Sequence, residues 1–122
     1  MIDAAVEEFG FLIGMERLAL GQDGSLVLAI EPIDTLCLSR RDRDLCVSLS
    51  RSRQYPAEPL ASRMLELLHF ERTGGLGVHC RRTDFGRSTV LMLVLPGGAL
   101  RGGEILAALD HLTALHNTAE LV

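Results

Sequence analysis

Lysine is absent: all twelve basic residues are arginine. Without lysine there is no P-loop cation and no Schiff-base nucleophile. Positive charge is also in short supply, with 16 acidic residues against 12 basic ones and a net charge of −4. Nucleic-acid binding draws on a concentrated positive field, so that class is set aside. No apolar run reaches the ~18 residues that a membrane-spanning helix needs. The start, "MIDAAVEEFG", lacks the basic stretch of a secretory signal. Three cysteines, Cys37, Cys46 and Cys80, are too widely spaced for a zinc knuckle. Their odd number points to a reducing compartment, so a cytoplasmic location is expected. No Gly-x-Ser-x-Gly elbow occurs.

What is present is a chain of 122 residues, 48% hydrophobic, enough to bury one core. Residues 1–122 are therefore taken as a single domain. From Ile2 to about Met15 the apolar positions Ile2, Ala5, Val6, Phe9, Leu12 and Ile13 share one helical face. Asp3 is expected to cap that helix, with Glu7 and Glu8 near the positive end of its dipole. "GQDG" (Gly21–Gly24) reads as a turn and "SLVLAIE" as a buried strand. Ile33–Ser39 and Asp44–Arg51 alternate with strand period. The cluster Arg40, Arg41, Asp42, Arg43 and Asp44 carries both signs, so it reads as a solvated hairpin tip rather than a basic nucleic-acid loop.

Prolines 56 and 59 break the sheet, and a second helix runs from about Pro59 to Glu71 before Gly74. "LGVHCRR" and "STVLMLVLP" read as two more strands joined by a turn at "TDFGR". "PGGALRGG" reads as a flexible connector, since Glu104 at the next helix start opposes phosphate binding there. A last helix runs from about Gly103 to Thr118. The fold class is therefore α+β, in the order α-β-β-β-α-β-β-α. Five strands form a twisted antiparallel sheet accompanied by three helices.

No cofactor, metal site or catalytic group is expected. His79 and Cys80 are neighbours in a strand and point to opposite faces. Cys37 and Cys46 are candidate cross-strand neighbours without a third ligand. His116 falls within the apolar arc of Ile105, Leu109 and Leu112, as a core-edge residue would. The informative features are surfaces. In the second helix Leu60, Ala61, Met64, Leu65, Leu67 and Leu68 span about 160° of the wheel, more than one core contact uses. The excess predicts self-association, with Leu60, Met64, Leu65 and Leu68 at a dimer interface. In the first helix Ala4, Phe11 and Met15 form a second stripe opposite the main one. That stripe marks a contact, and Phe11 and Met15 are expected to line a groove.

The segment "LALGQDGSLVLAIEP", the Leu-rich second helix, the strand "STVLMLVLP" and the final helix resemble the class I chaperones of bacterial type III secretion. The likeness runs over nearly the whole chain. It implies a non-enzymatic cytoplasmic homodimer that binds the N-terminal, non-globular segment of an effector and keeps it unfolded and export-competent. Phe11, Met15, Leu36, Leu38, Val47 and Leu49 are the expected effector-binding residues. The alternative is a roadblock-type dimeric scaffold for a small GTPase, which places two strands rather than three before the second helix.

Overall fold

Alternation in the middle of the chain builds the sheet. In the computed structural model, which describes residues 2–31, 33–52, 78–83 and 88–121, five strands pair antiparallel. They are β1 (Ser25–Glu31), β2 (Asp34–Arg41), β3 (Asp44–Ser52), β4 (His79–Thr83) and β5 (Ser88–Leu95), in spatial order β1-β2-β3-β5-β4. Two helices are described, α1 (Ile2–Leu12) and α2 (Gly102–Leu121). The expected helix from Pro59 to Glu71, with Leu60, Met64, Leu65 and Leu68, lies outside the described residues. So does the turn at 84–87. The α+β class and the five-stranded antiparallel sheet are as expected, with three strands before residues 53–77 and two after them.

Period two explains which face of the sheet is covered. Leu36 and Leu38 on β2, Leu45, Val47 and Leu49 on β3, and Leu91, Leu93 and Leu95 on β5 all point inward and are buried. Phe9 and Val6 from α1, with Ile105 and Leu112 from α2, complete this core. The β2–β3 link is a two-residue tip at Asp42 and Arg43, between the paired Arg41 and Asp44. Asp42 sits at φ 56°, a left-handed conformation that Asp tolerates better than most residues. The charge cluster is thus a hairpin tip.

Several elements differ from the sequence reading for identifiable reasons. α1 stops at Leu12 instead of Met15. Gly14 takes φ 82° and donates its N–H to Phe11 O (3.2 Å), while Met15 N–H reaches back to Gly10 O (2.7 Å). This pair of bonds is a Schellman ending, which satisfies the last carbonyls and turns the chain away. It leaves Leu12, assigned to the core face, exposed. Asp3 lies inside the first turn, and its carboxylate receives the Arg40 guanidinium at 2.7 Å. β1 is not a buried strand but a sheet edge, half-covered at Leu26, Leu28 and Ile30 and open at Val27.

The loop before α2 is not a loose connector. A Cβ on Gly97 would collide with the Arg43 carbonyl, and one on Gly102 would collide with the Phe9 amide. These glycines let the loop pass the hairpin tip and let α2 start against α1. Arg101 takes the N-cap position, and its N–H is held by Glu104 Oε1 (3.2 Å), half of a capping box. The Gly102 N–H donates instead to Glu8 Oε1 of α1 (2.6 Å), and Arg101 pairs with the same carboxylate at 2.9 Å. An acid from α1 therefore closes the anion-binding end of α2. Arg101 and the Gly102 amide together hold the Glu8 carboxyl below its ordinary range.

Candidate docking site

The end of α1 gathers exposed apolar surface. Phe11 is 59% exposed and Met15 40%, with Leu12 open between them in sequence. The Schellman turn that ends the helix is what brings Met15 beside the last turn, and Gly10 makes room for it. A Cβ at Gly10 would lie 2.7 Å from Leu18 Cβ and from the Met15 carbonyl. Gly10 therefore allows the chain to fold back so that Leu18 enters the core while Met15 stays out. The second stripe of α1 is open in the structure, as Ala4, Phe11 and Met15 are all exposed.

The hairpin residues are a correction. Leu36, Leu38, Val47 and Leu49 were expected to face the effector, but all four have no exposed surface. Their alternation turns them under the helices, where they form the floor of the core. The four belong to the core and not to an open face.

The other feature is the sheet edge. Among the described residues β1 pairs with β2 on one side only. Arg40 N–H donates to Gly24 O (2.8 Å), and antiparallel bonding then recurs every second residue, at Leu26 and Leu28. Val27 and Ala29, the residues between, turn their backbone groups outward. Val27 is 63% exposed, and no charge occurs from Ser25 to Ile30. At the opposite end of the described sheet, β4 is a strand of five residues. Short edges resist pairing with a further strand, whereas long uncharged ones invite it.

Sequence reasoning missed one buried group. Asp34 and Arg51 are register partners on β2 and β3 and both face inward. Arg51 Nε and Nη2 donate to the two Asp34 oxygens at 2.7 and 2.8 Å, and Nη1 donates to Asn117 Oδ1 at 2.8 Å. The signal was available. Asp34 is in phase with Leu36 and Leu38, and Arg51 with Val47 and Leu49, so the same alternation that buries the leucines buries both charges. His116 is fully buried in the core, its Nε2 2.9 Å from the Leu49 carbonyl and donating to it.

Among the described residues no three metal-ligating side chains come together. Cys37 is register partner of Ser48 and Cys46 of Ser39, so the two cysteines are diagonal on the face away from the helices. Burial pushes the Cys46 thiol pKa up, away from the thiolate that nucleophilic chemistry needs. The clefts near the hairpin tip are open and hold the Asp3–Arg40 pair with Asp23 and Asp42. No helix of the described residues is long and apolar enough to cross a membrane. Among the described residues this architecture is an α+β layer pair with an exposed helix end and an unpaired strand edge at β1.

No family model and no curated protein matches the sequence. Solved structures do match. A chain of the ExsC–ExsE complex superposes with a TM-score of 0.75 and 15% identity, covering 98% of this chain and 89% of that one. A chain of the HopA1–SchA chaperone–effector complex gives 0.75 and 12%, covering 97% and 91%. A chain of the heterodimeric ExoU–SpcU complex from the type III secretion system of Pseudomonas aeruginosa gives 0.62 and 19%, covering 98% and 94%. The likeness to type III secretion chaperones noted in the sequence is therefore met in three dimensions, at the level of the fold.

Proposed function

We propose that this protein is a non-enzymatic, cytoplasmic chaperone of type III secretion. Acting as a homodimer, it binds the N-terminal non-globular segment of an effector and keeps that segment unfolded and ready for export. The observation that carries this reading is the agreement in fold, over nearly the entire chain, with structures of chaperone–effector and secretion-system complexes. Two features of the surface support it. A segment without a core of its own can pair its backbone with a free strand and seat apolar anchors beside it. The uncharged β1 edge offers the first, and Phe11 with Met15 offers the second. The dimer rests on the apolar arc of Leu60, Met64, Leu65 and Leu68. The strand order, three before residues 53–77 and two after, counts against the roadblock-type GTPase scaffold.

The test is isolation from the native host followed by identification of the bound protein and limited proteolysis of the complex. The expected partner is a secreted protein whose N-terminal segment is protected from protease only while bound. A partner that still binds after deletion of that segment, or is held through a globular domain, overturns the reading.

A further inference from the structure

The edge of β1 is closed at one end by the chain itself. Ser25 is the first residue of the strand, and by the two-residue alternation its backbone groups point outward with those of Val27 and Ala29. Both are already taken. The Ser25 N–H donates to Asp23 Oδ1 at 3.1 Å, its hydroxyl donates to Asp23 Oδ2 at 2.8 Å, and its carbonyl accepts the Gly21 N–H at 2.8 Å. Gly24, at φ 81°, lets the turn close over these contacts. At the other end the β1–β2 register shifts between Ala29 and Glu31. A bulge of this kind re-aims the backbone and ends regular pairing.

We propose that Asp23 is a pairing stop at the β1 edge and so sets how far along β1 a bound segment can pair. This rests on the strand-addition reading above. The open window is Val27 and Ala29, two residues with four backbone groups, which a stretch of about five extended residues fills. Side chains on the inner face of that stretch lie beside Leu26, Leu28 and Ile30, which are only partly covered. The fitting partner is an extended segment with apolar residues at alternate positions. Pairing cannot extend to Ser25, so it is confined to the groups of Val27 and Ala29.

Amide exchange in the full chain tests this, alone and with a blocked probe peptide, Arg-Arg-Thr-Val-Thr-Val-Thr-Arg-Arg. In the free wild type the Ser25 amide exchanges about tenfold or more slowly than those of Val27 and Ala29, as a hydrogen-bonded amide does beside open ones. Asp23→Ala brings Ser25 to their rate and leaves Leu26 and Leu28, bonded to β2, unchanged. Asp23→Asn, which keeps the acceptor, behaves as wild type. With the probe, wild type gains protection at Val27 and Ala29 but not at Ser25, whereas in Asp23→Ala the protection extends to Ser25. Fast Ser25 exchange in the free wild type, probe-induced protection of Ser25 in wild type, or an unaltered footprint in Asp23→Ala overturns the proposal. A slow Ser25 in the free chain with no probe-induced slowing at Val27 and Ala29 removes strand addition at this edge, and the stop with it. The wild-type measurements decide the matter even where Asp23→Ala fails to fold.

Discussion

At the scale of the residue, exposure separates two kinds of apolar side chain that look alike in sequence. Phe9 and Phe11 are two positions apart on α1, yet Phe9 is fully buried and Phe11 is 59% exposed. A glutamate at 11 meets water rather than core, so Phe11→Glu is expected to hold its melting temperature within a few degrees. If Phe11 anchors the effector segment, the same variant loses about 2 kcal/mol of binding, roughly thirtyfold in Kd by titration calorimetry. Unfolding of the variant would instead assign Phe11 to the core. Asp34 is the opposite case. Asp34→Ala leaves the Arg51 guanidinium in the core without its carboxylate, a change expected to cost about 3–5 kcal/mol by chemical denaturation. A loss below about 1 kcal/mol would mean that Arg51 reaches water readily when its carboxylate is gone. Neither charge was placed in the core from the sequence. The register of the hairpin, Asp34 opposite Arg51, would have exposed the pair.

At the scale of the element, legibility followed the range of the interactions involved. The β2–β3 hairpin was readable because alternation and a charged tip are local, and the buried face of α1 was readable at Ile2, Ala5, Val6 and Phe9 for the same reason. The glycines of the loop before α2 were not. Gly97 and Gly102 are needed because of Arg43 and Phe9, which no local pattern brings near. Nor was the edge position of β1, since "SLVLAIE" reads the same whether a neighbour covers it or not. The α1–α2 junction hides another long-range contact, Glu8 at the start of α2. Its lowered pKa, from Arg101 first and the Gly102 amide next, has a sign. The folded state holds the carboxylate more tightly than the unfolded chain, so this contribution is complete above the ordinary value of 4.5 and fades as pH falls below it. Glu8→Gln is therefore expected to melt lower than wild type at neutral pH, with the gap closing in acid. A gap independent of pH would show that the charge is not what joins the helices.

At the scale of the whole molecule, the sheet and its two described helices bury one face and leave the exposed apolar residues and the β1 edge at the margin. The core leucines of β2, β3 and β5 face inward, while the free edge and the α1 terminus face out. A chain built this way exposes an invitation to aggregate unless it is occupied or kept at low concentration. A homodimer would halve the number of independent particles, and it would let one effector segment engage two docking sites at raised effective concentration. The second apolar arc in the sequence, Leu60, Met64, Leu65 and Leu68, is where such a dimer is expected to join. Light scattering at micromolar concentration should return twice the mass of one chain. Leu65→Arg should return a single mass, and its hold on the effector segment should weaken more than that of Phe11→Glu in the retained dimer, since both sites are then uncoupled. A wild type that scatters as one chain removes the dimer, and a Leu65→Arg variant that remains double places the interface on another surface.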